Sequence, residues 1–226
     1  MNLSRTRAIL FDLDGTLVDS APDLTVAVNQ VLAERDQPPV SEEQIRDWTG
    51  NGVRRLVARA LTGEIDGAPP EAELEAAVER FLTCYGEAVY VHSRPYPGVL
   101  DGIRQLGEAG MRLAVVTNKP YHLAREIVER MGLADRIDAV VGGDSTDSRK
   151  PGPEPLRFAM ECLGVASATA LMVGDSLTDV EAARNAGVPV VCVPYGYRRG
   201  VAPEALRADA LVEALTDLPA LLRGVA

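Results

Sequence analysis

The sequence contains very little lysine, cysteine or histidine. Of its 23 basic residues, only Lys119 and Lys150 are lysines, and the others are arginines. The three cysteines, Cys84, Cys162 and Cys192, are odd in number and far apart along the chain. That spacing matches neither a disulfide framework nor a metal site. We therefore expect the cysteines to be ordinary buried or half-buried residues, which favours a cytoplasmic protein.

Long apolar runs and excess positive charge are also missing. No apolar stretch approaches the roughly 18 residues of a membrane-spanning helix, and the initial MNLSRTR lacks the apolar segment of a secretory signal. The formal net charge of −10 argues against sequence-independent binding to nucleic acid or to an anionic membrane. We expect a cytoplasmic monomer or homodimer without a nucleic-acid or membrane partner.

Short apolar segments alternate with amphipathic ones along most of the chain. The apolar segments predict buried strands at residues 7–11, 112–117, 138–141, 170–173, 189–193 and 210–212. The amphipathic segments predict helices, several followed by glycine, at residues 98–110, 120–131, 153–164 and 176–187. This alternation predicts an α/β fold, a Rossmann-like, doubly wound parallel sheet with right-handed crossovers.

Residues 19–94 interrupt this alternation. Helical patterns occur there at 22–34, 42–47, 52–61 and 71–90, with no convincing strand between them. We interpret this segment as an inserted all-helical cap domain. Residues 1–18 and 95–226 would then form the α/β core domain, with hinges near residues 18–20 and 94–97.

Two aspartates directly follow the first predicted strand, in FDLDGTLVDS at residues 11–20. Side chains at positions i and i+2 of extended backbone point the same way, so Asp12 and Asp14 can face one pocket. Ligands of open α/β sheets bind at the carboxyl ends of the strands. The pair is therefore a candidate active site.

Other polar residues follow the later strands. Thr117, Asn118 and Lys119 follow the second core strand, and Lys150 lies in the loop after the third. The fourth strand ends in MVGDSLTD, which places Asp175 and Asp179 one helical turn apart.

Such a group of carboxylates would be costly without a cation. Oxygen ligands without histidine or cysteine suit Mg²⁺, which commonly shares its ligand shell with a phosphate. A nucleophile, a metal, a lysine and hydrogen-bond donors together are the equipment of phosphoryl transfer.

With these segments in place, the chain resembles the haloacid dehalogenase superfamily. DLDGTLVDS, VVTN, RKPGPEP and GDSLTD are similar to the four motifs of that family, and the helical insertion resembles the C1 cap of its subclass I. The resemblance covers nearly the whole chain. It implies a Mg²⁺-dependent phosphatase that acts on a small phosphate ester through an aspartyl-phosphate.

The resemblance also implies a role for each motif residue. Asp12 would be the nucleophile, and Asp14 the general acid that later activates water. Mg²⁺ would be held by the Asp12 carboxylate, the Asp14 backbone carbonyl and Asp175. Lys150 would offset the charge of Asp12 and the phosphate, and Asp179 would orient Lys150 or a metal-bound water.

Substrate contacts are expected from two loops. Thr117 and Asn118 would bind the phosphoryl oxygens, and Lys119 would lie at the edge of the pocket. In the cap, Gly50, Asn51 and Gly52 precede a predicted helix, and their backbone N–H groups could meet an anion.

Two arginines follow that cap loop directly. One of Arg54 and Arg55 could bind a substrate carboxylate, although a solvated helix face is the favoured interpretation for either.

Four segments narrow the resemblance within the family. TGNGVRRLVARAL, VVTNKP, VGGDS…KPGPEPL and VPYGY are similar to bacterial phosphoglycolate phosphatases, which implies that 2-phosphoglycolate is hydrolysed to glycolate and phosphate. Phosphatases for N-acetylmuramic acid 6-phosphate, pyrophosphate or sugar phosphates stay open as alternatives. So do a β-phosphoglucomutase-like phosphomutase and a non-catalytic phosphate-binding module.

Overall fold

The computed structural model describes residues 3–197 and 200–224. Within these ranges the strands are, in chain order, β1 (Ala8–Phe11), β2 (Val18–Asp19), β3 (Arg94–Pro95), β4 (Arg112–Val116), β5 (Ala139–Val141), β6 (Ala170–Gly174), β7 (Val190–Cys192) and β8 (Ala210–Leu211). The α-helices are α1 (Ala21–Ala33), α2 (Glu42–Trp48), α3 (Val53–Thr62), α4 (Glu71–Glu87), α5 (Val99–Glu108), α6 (Tyr121–Arg130), α7 (Glu154–Leu163), α8 (Leu177–Ala186) and α9 (Leu218–Leu222).

Six strands form one parallel sheet in the order β5-β4-β1-β6-β7-β8. The central strand, β1, pairs on both sides, so that Phe11 lies opposite Val115 of β4 and Val173 of β6. This register ends the three strands at nearly the same level. The loops that carry the candidate site residues therefore begin side by side.

Apolar side chains cover both faces of this sheet. Along β1, Ile9 and Phe11 belong to one buried cluster, and Ala8 and Leu10 belong to the other. This division is what a strand with a two-residue side-chain period produces. Helix α5 packs into the first cluster and helix α7 into the second. The predicted doubly wound α/β fold is confirmed.

Helices α1 to α4 lie between β2 and β3 and pack against one another. The two short strands form an antiparallel ribbon in which Val18 is opposite Pro95 and Asp19 is opposite Arg94. This ribbon joins the helical segment to the core at the two predicted hinge positions. The sequence predicts neither of these strands, because two residues are too few to show an alternating pattern. The division into core and cap domains stays a prediction.

In the described part of the chain, no helix combines the length and the apolar character that crossing a bilayer requires.

Candidate active site

The sheet brings the predicted site residues together at the carboxyl ends of its central strands. Asp12 directly follows β1, Thr117 directly follows β4, and Asp175 directly follows β6. All three are at least nine-tenths buried. Their proximity follows from the register of the sheet, because each is the first residue after its strand.

Lys150 lies between two of the carboxylates. Its Nζ atom is 2.8 Å from Asp12 Oδ1 and 2.7 Å from Asp179 Oδ1. Burial by itself would lower the pKa of Lys150, but the charges of Asp12 and Asp179 outweigh it and hold the pKa above its usual value. The ammonium is therefore charged, and it neutralises only part of the acidic group around it.

Asp12, Asp175 and Asp179 offer a set of carboxylate oxygens within 4.8 Å of one another. Burial raises the pKa of Asp12 to about 7, with Asp179 and Asp14 adding to the rise against the lowering effect of Lys150. Burial, followed by the charges of Asp179 and Asp12, also raises the pKa of Asp175. Buried carboxylates with excess negative charge and only oxygen donors fit a hard divalent cation.

Asp175 is held by two hydrogen bonds. The hydroxyl of Thr16 donates to Oδ1 at 2.8 Å, and the backbone N–H of Tyr197 donates to Oδ2 at 2.6 Å. Two glycines make room for it. A Cβ atom on Gly15 would lie 2.5 Å from Asp175 Oδ2, and one on Gly196 would lie 2.3 Å from Asp175 Cβ. The carboxylate therefore has one closely packed position.

Asp179 connects the start of α8 to Lys150. While its Oδ1 atom accepts from Lys150, its Oδ2 atom accepts from the Ser176 hydroxyl at 2.6 Å and from the backbone N–H groups of Ser176 and Asp175. The same side chain thus caps the helix and orients the lysine. The supporting role that the family resemblance implies for Asp179 stays a prediction.

Asp14 lies at the other end of the site, beside Lys119. Lys119 Nζ is 3.2 Å from Asp14 Oδ1, which also accepts a hydrogen bond from the Ser20 hydroxyl. The Tyr85 hydroxyl of α4 is 2.9 Å from the same Nζ atom. The sequence placed Lys119 only at the pocket edge, and it carried no signal for Ser20 or Tyr85, which lie in the helical insertion.

The side chain of Asn118 is hydrogen-bonded to the protein. Its Oδ1 atom accepts from Lys150 N at 3.0 Å, and its Nδ2 atom donates to Lys150 O at 2.9 Å and to Gly50 O at 3.0 Å. Asn118 therefore fixes the Lys150 loop and contacts the cap loop. A phosphoryl contact by Asn118 would have to use its backbone N–H.

A small cavity opens between the sheet edge and the helices of the insertion. Its volume of about 30 Å³ is lined on one side by Asp12 and Asp14 and on the other by Gly50 and Gly52. The predicted cap loop thus faces the aspartates across the cavity. Asn51 does not line it, and its Oδ1 atom instead accepts a hydrogen bond from Arg59 at 3.0 Å.

The two arginines that follow the cap loop do not line this cavity. Arg54 is ion-paired with Glu71, and Arg55 with Asp66 at 2.8 Å. Both pairs lie on the surface of the insertion, where the side chains are partly exposed. The arrangement favours the interpretation of a solvated helix face over a substrate contact.

The chain is similar in sequence and in fold to proteins of one known family. A family model described as haloacid dehalogenase-like hydrolase matches residues 9–193. A phosphoglycolate phosphatase of Thiobacillus denitrificans is 44% identical over 93% of this chain and 93% of its own. The crystal structure of a predicted phosphoglycolate phosphatase from Haemophilus somnus is 33% identical, with a TM-score of 0.87 over 96% of this chain and 98% of that one.

A solved structure with a ligand is also similar. CbbY from Rhodobacter sphaeroides, in complex with phosphate, is 30% identical and has a TM-score of 0.73 over 94% of this chain and 96% of that chain.

Proposed function

The chain belongs to the haloacid dehalogenase-like hydrolase family, and we propose that it is a Mg²⁺-dependent phosphatase that hydrolyses 2-phosphoglycolate to glycolate and phosphate. The observation that carries the proposal is that Asp12 and Asp14 line one cavity, with Lys150 2.8 Å from Asp12. Relatives named phosphoglycolate phosphatase, at 38–48% identity, support this choice of substrate.

We propose that Asp12 is the nucleophile. Its carboxylate attacks phosphorus, and the phosphoryl group passes from the substrate oxygen to Asp12 as an aspartyl-phosphate. Lys150, 2.8 Å away, orients the attacking oxygen and balances the charge that accumulates there. Bound Mg²⁺ would supply electrostatic stabilisation of the phosphoryl oxygens, held by Asp12, Asp175 and the Asp14 backbone carbonyl.

Asp14 then acts as the proton carrier. It protonates the glycolate oxygen as the bond to phosphorus breaks, and it later takes a proton from the water that hydrolyses the aspartyl-phosphate. Thr117, together with the backbone of Asn118, binds the phosphoryl oxygens. The backbone N–H groups of Gly50 and Gly52 at the start of α3 face the substrate from the opposite wall.

Cap movement belongs to the proposal, because the cavity is small. A volume of about 30 Å³ is room for roughly two water molecules, and we interpret this conformation as the closed one. Substrate would enter when residues 19–94 move away from the core about the β2–β3 ribbon. Closure excludes bulk water, which would otherwise compete for the phosphoryl group.

We also propose that the protein acts in the cytoplasm as a monomer or homodimer, without a nucleic-acid or membrane partner. The net charge of −10 supports the absence of such partners, since it disfavours binding to nucleic acid and to an anionic membrane. Light scattering of the purified protein, with and without added DNA, would report both its mass and any complex.

The function is tested by phosphate release with Mg²⁺ from a panel of substrates. The panel contains 2-phosphoglycolate, N-acetylmuramic acid 6-phosphate, pyrophosphate, glucose 1-phosphate and other sugar phosphates. We expect the highest kcat/KM for 2-phosphoglycolate and loss of activity on chelation, restored by added Mg²⁺.

Three other results would change the assignment. A higher kcat/KM for another ester would replace the substrate and leave the chemistry standing. Isomerised sugar phosphate without free phosphate would identify a phosphomutase, and no turnover at all would leave a phosphate-binding module.

A further inference from the structure

Lys119 is the one basic side chain among the described residues that line the cavity. Its side chain is 4% exposed, so its charge is nearly removed from solvent. The remaining wall of the cavity, beyond Asp12 and Asp14, is formed by apolar side chains and by uncharged loop residues, including Leu24, Val53 and Leu56. An anionic group on the leaving part of the substrate would therefore meet its cationic partner at Lys119.

The ammonium of Lys119 has a donor left for a ligand. It carries three N–H donors, and in the described part of the chain its polar contacts are Asp14 Oδ1 at 3.2 Å and the Tyr85 hydroxyl at 2.9 Å. Of these two partners, Asp14 lines the same cavity as Lys119. The third donor is therefore available to an oxygen atom inside the cavity.

We propose that Lys119, positioned by Tyr85, binds the carboxylate of the leaving group and thereby selects phosphate esters of small 2-hydroxy acids. The inference rests on the proposed function and adds to it the residue that determines specificity. Asp14 is to protonate the ester oxygen, and the carboxylate of glycolate lies only two bonds beyond that oxygen. Lys119, in contact with Asp14, is at the distance at which this carboxylate must be bound.

Tyr85 makes this recognition depend on the helical insertion. It lies on α4, is 1% exposed, and stacks on Phe81 with 5.6 Å between the ring centroids. Its ring also lies 4.5 Å from Lys119 Nζ, within the range of a cation–π contact. Since Lys119 follows β4 of the core, the ammonium is held from both sides only when α4 is packed against the core.

The burial of an unmatched carboxylate explains why the selection should be strong. A carboxylate that leaves water without a charged partner loses its hydration for nothing in return. A neutral group of the same size needs no such partner. Loss of Lys119 should therefore lower kcat/KM strongly for the acid substrate and far less for its neutral analogue.

The test compares two esters of nearly equal size, 2-phosphoglycolate and 2-hydroxyethyl phosphate. The measured quantity is the ratio of their kcat/KM values, because any effect of a variant on Asp14 or on folding changes both and cancels. We expect Lys119→Met to lower this ratio about 10- to 100-fold, the usual range for a lost hydrogen bond to a charged group. Lys119→Arg keeps the positive charge, so its ratio should lie between those of Lys119→Met and the wild-type protein.

Tyr85→Phe removes only the hydroxyl and keeps the stacked ring. For 2-phosphoglycolate we expect this variant to raise KM about 3- to 10-fold, with little change in KM for the neutral ester. Tyr121→Phe, at an exposed position on α6, is the matched control and should leave both values unchanged. Should Lys119→Met fail to fold, Tyr85→Phe still tests the inference.

Three results would overturn the inference. An equal loss on both esters would assign Lys119 to Asp14 or to folding alone, and the phosphatase function would stand. Unchanged kcat/KM values of Lys119→Met on both esters would exclude Lys119 as the carboxylate partner. A wild-type protein that hydrolyses the neutral ester as well as the acid would refute both the inference and the proposed substrate.

Discussion

The two lysines of the chain lie in two differently built halves of the site. Around Lys150 every contact comes from the α/β core: Asp12 follows β1, and Asp179 lies on α8. Around Lys119 the contacts are shared, because Asp14 belongs to the core and Tyr85 to α4 of the insertion. The surroundings of Lys150 are therefore built by the core, whereas those of Lys119 are completed by the insertion. Under the roles proposed above, the core supplies the groups for phosphoryl transfer and the insertion completes those for substrate selection.

The largest effect in the core half is expected from replacing Asp12, the proposed nucleophile. We expect Asp12→Asn to lower kcat by at least about 10⁴-fold, as loss of a covalent nucleophile does in other enzymes, because an amide cannot form the aspartyl-phosphate. Phosphate release measures the loss. Asp135→Asn makes the same change at an exposed position and should be active. Appreciable turnover by Asp12→Asn would contradict the covalent mechanism.

A second change in the core half displaces Asp175 without replacing it. In Gly196→Ala the new Cβ would lie 2.3 Å from both Asp175 Cβ and the Gly15 carbonyl oxygen. We expect Mg²⁺ affinity and kcat/KM to fall about 10- to 100-fold, as when the support of a metal ligand is lost. Calorimetry with Mg²⁺ tests the affinity directly. Gly107→Ala, which has no atom within 4 Å of the new Cβ, is the control.

Asn118 connects the two halves, since it bonds both to Lys150 and to Gly50 of the cap loop. Asn118→Asp keeps the acceptor for Lys150 N but turns the donor into an oxygen that faces two carbonyl groups. We expect a loss of roughly 10-fold in kcat/KM on both esters. Asn185→Asp, which removes one exposed bond to Pro151 O, should have a smaller effect. Equal effects would show that Asn118 does not link the halves.

The smallest expected effect is on how the free energy of unfolding depends on pH, and it comes from the buried carboxylates of Asp12 and Asp175. The folded-state pKa of Asp12 is about 7, above its ordinary value of 3.8, and the pKa of Asp175 is also raised. Their stabilising contribution is therefore complete below about pH 4 and is lost as the pH rises towards 7. Between pH 5 and 7 we expect the free energy of unfolding of metal-free protein to fall, by up to about 1.4 kcal/mol per pH unit per proton.

Urea denaturation without and with Mg²⁺ measures this slope. Bound Mg²⁺ should make the free energy of unfolding less dependent on pH, because the cation stabilises the ionised carboxylates. Asp12→Asn should make the slope smaller in metal-free protein, because one titrating group is removed. A metal-free slope of zero, or one of opposite sign, would show that the carboxylates are already ionised without a cation.

Most of the core could be predicted from the sequence, and less of the insertion. Asp12, Thr117 and Asp175 were placed correctly, because each directly follows a short apolar strand and parallel strands end at one edge of the sheet. Their chemical roles, and those of Asp14 and Lys150, stay predictions supported by geometry.

In the insertion, Gly50 and Gly52 line the same cavity as the aspartates, as the sequence predicts, whereas Asn51 contacts Arg59 instead.

The missed contacts share a physical cause. In the sequence Tyr85 is simply one apolar position of the amphipathic helix α4, and its hydroxyl meets Lys119 only through packing between elements 34 residues apart. Tyr197 likewise donates from its backbone to Asp175, which no side-chain pattern reports.

By itself the sequence determined the order of strands and helices and which polar residues directly follow the central strands, because those features depend on neighbouring residues and on short periodic patterns. Only the tertiary structure decided which side chains surround each of the two lysines. Lys150 and Lys119 look alike in sequence, each in a loop before a proline. Their partners come from segments far away along the chain, and packing alone selects one between two core aspartates and the other between Asp14 and a tyrosine of the insertion.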